Sequence, residues 1–237
     1  MNHRTRTQPG RPASTAGWPV PAALIALSAI PLTFGTLRLV ELAGGPAVMP
    51  ADERFTGFPV ALALHVAGSA VYALVGAFQF APRFRRQRPA WHRRVGRLVA
   101  VVGLAVAGSA LWLTLFYARH PGTGDLLYGA RLVVAPAMAA FLVLGFAAIR
   151  RRDIAAHRAW MIRAFALGLG AGTQVLTEGF GGALLGTDGV RGDVLKLAAW
   201  VINLGVAEWA IRRPARRRAR RPLSIRASGT HPARARS

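Results

Sequence analysis

Two short stretches place a histidine beside an arginine and close to a tryptophan: WHRRVGR at 91–97 and HRAWMIR at 157–163. Each opens a long apolar run. The chain has six histidines, His3, His65, His92, His120, His157 and His231, so these two positions are selective. Neutral imidazole ligates metals and haem iron. His92 and His157 on neighbouring helices would clamp a b-type haem, with Arg97 and Arg163 available to its propionates. Gly96 and Gly103 follow His92, and Gly170 follows His157. Such small residues would leave room for a flat macrocycle or a quinone. The same residues also suit a basic headgroup belt, where arginine and tryptophan collect at a membrane surface.

The elements that must carry these histidines are membrane helices. The 237 residues are 53% hydrophobic, and the apolar residues come in blocks. About 20 apolar residues cross a bilayer as a helix. Six blocks reach that length: 18–40, 58–80, 97–118, 129–149, 163–186 and 194–211. Backbone in lipid must satisfy its own hydrogen bonds, so the blocks predict an all-α polytopic membrane protein with six transmembrane helices in a bundle. The alternating ten-residue strands of an outer-membrane barrel are absent. A basic start before an apolar run also describes a signal peptide. This run is long and lacks a clear cleavage site, which predicts a retained first span.

The formal charge is +22, distributed in a way that argues against a specific nucleic-acid partner. Of 31 basic residues, 25 lie in alternate segments: three before the first span, seven in 81–97, five in 150–163 and ten after 211. The intervening segments hold five, and Arg38 sits inside the first span. This asymmetry predicts a membrane protein with both termini cytoplasmic. Residues 1–17 read as a disordered N-terminus, 18–211 as the transmembrane domain and 212–237 as a disordered basic tail lying on anionic lipid headgroups. No cysteine is present, which excludes disulfides and Cys-ligated metals. No P-loop or dinucleotide fingerprint occurs.

Polar residues inside spans are costly and face a partner or a cavity. Span two carries His65, Gly68, Ser69, Tyr72, Gly76 and Gln79 on one helical face. That stripe suits either a site or close helix packing. By depth, Arg38, His65, Arg131 and Glu178 form an expected outer polar cluster, with Arg131–Glu178 as its foremost ion pair. Gln79, Asn203 and Glu208 join the two histidines in an expected inner layer.

ALALHVAGSAVYALVGAFQF, WHRRVGR, DIAAHRAWMIRAFAL and AAWVINLGVAEW, in this order, resemble the bacterial predicted-membrane-protein family known as domain of unknown function 2306. The resemblance covers about residues 60–212. It implies a fold and no reaction. A weaker likeness is to six-helix b-type dihaem cytochromes, which pair histidines of spans two and four and of spans three and five. His92 and His157 match the second pairing, whereas span four has no histidine. Three functions follow as alternatives. One is a haem b electron carrier. The second is a small-molecule or lipid-binding protein, or a transporter, using the outer cluster. The third is a structural or accessory subunit.

Overall fold

The computed structural model describes residues 18–219, apart from 51, 56–58 and 121, with side chains given up to 213. The described residues form eight helices and no strand: α1 (Pro19–Leu42), α2 (Val60–Gln79), α3 (Pro82–Gln87), α4 (Pro89–Phe116), α5 (Asp125–Arg150), α6 (Ile154–Gly168), α7 (Gly170–Leu185) and α8 (Val190–Ala219). Proline stands in the first turn of α1, α3 and α4, where no helical N–H bond is lost. Asp153 caps α6 by accepting the Ala156 N–H at 2.9 Å. Just before it, Arg152 takes a left-handed φ of 62°, and the Asp153 N–H reaches back to Ala148 O at 3.0 Å. This six-to-one bond is a Schellman closure, and it turns the chain sharply from α5 into α6.

Packing closes the helices into a ring. α1 lies on α2, α2 on α4, α4 on α5 and α5 on α6; α6 and α7 both pack on α8, and α7 returns to α1. Tyr72, Val99, Val106, Leu142, Phe165 and Leu167 make the central core. Much of the apolar surface faces outward, with Val133 at 68%, Phe180 at 76% and Leu184 at 84% exposure. In water such a surface would drive aggregation; in a bilayer it is the lipid face. Hydrophobicity does not press helices together there, so close fit must do it. Gly76 lies against Phe165, Gly103 against Tyr72 and Leu142, and Gly145 against Met161. Pro31 inside α1 deprives Leu27 O of its helical donor, and that carbonyl rests on Gly172 of α7 with no space for a side chain between.

Five helices, α1, α2, α4, α5 and the 190–213 part of α8, are long and apolar enough to cross a membrane. The chain is a polytopic all-α membrane protein. The expected continuous fifth span at 163–186 is instead two helices, α6 and α7, interrupted at Leu169. The third span begins at Pro89 rather than 97, so His92 lies inside its first turns. α8 runs to Ala219, into the segment from 212 that was expected to be disordered. Residues 1–17 and 220–237 lie outside the described residues.

Candidate functional site

The HRAWMIR stretch on α6 is occupied almost residue by residue. His157 Nδ1 lies 2.9 Å from Gly145 O on α5. A carbonyl only accepts, so Nδ1 carries the proton and Nε2 bears the lone pair of the neutral ring. Arg158 donates to Ala210 O on α8 at 3.2 Å. Four residues on, Pro214 has no N–H to give that carbonyl. Trp160 stacks on Phe141 of α5 with ring centres 5.3 Å apart, and the Arg163 guanidinium lies 4.8 Å from the Trp160 ring centre. Arg163 Nε donates to Glu208 of α8, whose other oxygen lies 3.6 Å from Arg212. α6 is thus tied to α5 on one side and to α8 on the other.

WHRRVGR is engaged differently. Trp91 stacks on Phe84, which with Trp18 and Phe78 forms an aromatic cluster at the arginine-rich end of the bundle. His92 is within electrostatic range of His157, Arg85 and Arg93, and its imidazole has no hydrogen bond among the described residues. The expected space for a macrocycle is filled by the protein. Gly96 abuts the Gln79 amide, Gly103 abuts Tyr72 and Leu142, and Gly170 abuts the Trp200 indole. These glycines serve close packing, and a haem does not fit along them. Arg163 is committed to Glu208, and Arg97 lines a groove between α4 and α5. The Gln79 amide is buried, and neither of its polar atoms has a hydrogen-bond partner among the described residues.

Asn203 was expected in the same layer as Glu208. It stands instead midway along the apolar part of α8, at the interruption of the fifth span. Its Nδ2 donates to Ala166 O at 3.0 Å, and its Oδ1 accepts from Thr173 Oγ1 at 2.8 Å. The break at Leu169 disturbs the bond that Ala166 O would otherwise take from Gly170, and Asn203 supplies a donor. Interrupted helices in transporters present freed backbone groups to substrate. Here the protein itself covers this one.

At the opposite end, the expected cluster is rearranged. Glu178 pairs with Lys196 of α8 at 2.8 Å, and neither Arg131 nor Arg38 is its direct partner. Arg38 turns along its own helix to Glu41 at 2.8 Å and to Pro50 O at 3.1 Å, which removes it from the cluster. His65 of α2 holds α4: Nδ1 lies 3.2 Å from Val106 O and 3.3 Å from Ser109 Oγ. The carbonyl again fixes the proton on Nδ1 and the lone pair on Nε2. Arg131, part-buried and six residues into α5, has no side-chain hydrogen bond or ion pair among the described residues. It is within electrostatic range of His65, Arg54, Glu178 and Asp193.

Sequence reasoning missed the role of Asp193. Only 1% exposed, it accepts the Gly124 N–H at 3.1 Å and the Leu127 N–H at 3.0 Å. These are the Ncap and N3 donors of α5, the pair that a capping box satisfies locally. The signal was negative: α5 starts at a glycine with no side chain to cap it. Nearby, the Arg54 guanidinium bonds Asp52 and holds its carboxyl below the usual carboxylate range. Glu178, Asp193 and Asp52 are therefore each bound to something other than Arg131.

A family model described as Predicted membrane protein (DUF2306) matches residues 62–211. No curated protein and no solved structure matches the chain.

Proposed function

The chain belongs to the DUF2306 family of predicted membrane proteins, and we propose that it binds a small organic carboxylate at the end of the bundle that carries His65 and Arg131. One observation supports this above the others: the Arg131 guanidinium is part-buried and unpartnered among the described residues, while Glu178 is held by Lys196 and Asp193 by the α5 amides. A guanidinium is a planar fork of donors that suits a carboxylate, and it costs more to bury unpaired than paired. His65 gives its Nδ1 proton to Val106 O and offers Nε2 as an acceptor for a ligand hydroxyl. The internal commitments of HRAWMIR favour a structural role for the other end.

The distribution of basic residues supports placing that other end in the cytoplasm, with both termini there, in a bacterial cytoplasmic membrane. The carboxylate site then faces outward, and the basic tail lies on anionic headgroups. Reporter fusions at Ser237 and within 119–128 should give opposite compartments; an external C-terminus overturns this orientation.

Binding is tested on protein in nanodiscs with a panel of mono-, di- and hydroxycarboxylates. A ligand at 100 times its Kd should stabilise the fold by about 2.7 kcal/mol. Arg131→Gln should abolish the shift, and Arg119→Gln, at an exposed ion pair, should retain it. No stabilising acid in the panel, or equal stabilisation of Arg131→Gln, refutes the reading.

A further inference from the structure

An apolar groove of about 590 Å³ runs between α4 and α5 toward the arginine-rich end of the bundle. Val101, Val143 and Phe146 in it are 65%, 56% and 41% exposed, so its wall is open to whatever surrounds the helices. Its mouth carries Arg97 from α4, Arg150 from the last turn of α5, and Arg151 just beyond. None of the three guanidiniums has an ion pair or a side-chain hydrogen bond among the described residues, and no acidic residue lines the groove. The C-terminus of α5 adds roughly half a negative charge at the same place, against three full positive ones.

We propose that this groove is a binding site for an anionic phospholipid, with the acyl chain along Val101, Val143 and Phe146 and the phosphate against Arg97, Arg150 and Arg151. The two halves of the groove are complementary to the two halves of that molecule. A free phosphate would leave the apolar wall unused, and a zwitterionic headgroup would bring a cation toward three others. Basic residues at this level of a membrane helix bundle attract anionic headgroups, and between-helix pockets add the chain contact that makes a site out of a surface. This assigns Arg97 to a lipid phosphate rather than to a haem propionate. It is independent of the carboxylate reading, which concerns the other end.

The test is native mass spectrometry and thermal melting of detergent-purified protein with dioctanoyl phosphatidylglycerol, dioctanoyl phosphatidylcholine and inorganic phosphate. Phosphatidylglycerol should bind saturably, with one tight equivalent, and at least roughly 10-fold more tightly than phosphatidylcholine. Phosphate alone should not bind. The triple variant Arg97→Gln, Arg150→Gln, Arg151→Gln should lose at least roughly 10-fold in phosphatidylglycerol affinity. Val143→Trp, which fills the groove and leaves the charge unchanged, should lose it too, and Arg212→Gln with Arg213→Gln should not. Equal binding of both lipids, binding of phosphate alone, or unaltered affinity in the triple variant or in Val143→Trp would overturn the site.

Discussion

Asp193→Leu should destabilise the protein by about 3–5 kcal/mol, the largest loss expected of any single change described above. The carboxylate satisfies two buried N–H groups at the start of α5. An orphaned buried donor costs about 1–3 kcal/mol, and a carboxylate facing a helix N-terminus adds up to about 1 more. Leucine has a similar shape, so the loss reports polarity rather than a cavity. Asp193→Asn keeps one acceptor oxygen but turns an amide N–H toward the other backbone donor, and should fall between leucine and the native residue. Asp188→Leu is the control: Asp188 is exposed, and its side chain has no partner among the described residues. It should change stability by less than about 0.5 kcal/mol. Reversible unfolding in mixed micelles measures all three. Similar values for the 188 and 193 leucine variants would mean that α5 starts without help from α8.

The Asp193 contact explains part of what the sequence could and could not tell. Apolar block length reports a local property, so the first, second, fourth and sixth spans were legible within a few residues. Capping across 66 or 69 positions is not local. Nothing near Gly124 names its partner; the most that could be read was that a glycine start leaves donors to be filled. The fifth span failed for a related reason. Its composition stays apolar through Leu169, and Gly168 and Gly170 alone do not oblige a break, because glycine also occurs inside continuous membrane helices. The ambiguity in HRAWMIR was one of partner as well. Histidine and arginine suit a cofactor, a headgroup or a freed carbonyl equally. Only the positions of Gly145, Ala210 and Glu208 on other helices decide among these. Arg158 could have been anticipated in part, since Pro214 must strand a carbonyl four residues earlier and some donor has to reach it. Glu178 was read toward Arg131 because depth alone was compared; helix adjacency puts Lys196 of α8 beside α7 instead.

Asn203→Leu should cost about 2–3 kcal/mol, and the loss should be concentrated at the interruption of the fifth span. The side chain is 9% exposed and bonds both halves of that interruption, Ala166 of α6 and Thr173 of α7. Hydrogen bonds between membrane helices average about 0.6 kcal/mol and reach about 1.7. Two bonds of that average strength give only about 1.2 kcal/mol, below the expected loss. The unsatisfied Ala166 carbonyl raises it, because no water is available in the hydrocarbon to replace the lost donor. Thr173 suffers less, since a hydroxyl can rotate to a carbonyl one turn back on its own helix. Thr173→Val therefore should cost only about 1 kcal/mol, chiefly by stranding Asn203 Oδ1. Exposed Val201→Leu on the same helix should cost less than about 0.5 kcal/mol. Amide exchange distinguishes a staple at the break from a general packing role. In Asn203→Leu, the Gly172 and Thr173 amides, which bond Leu169 O across the break, should exchange faster, while those at the α2–α4 contact around Val106 should follow global unfolding as in the native chain. Uniform acceleration throughout the bundle would move the cost away from the break. Unchanged exchange at Gly172 and Thr173 would show that Leu169 interrupts the helix without needing Asn203.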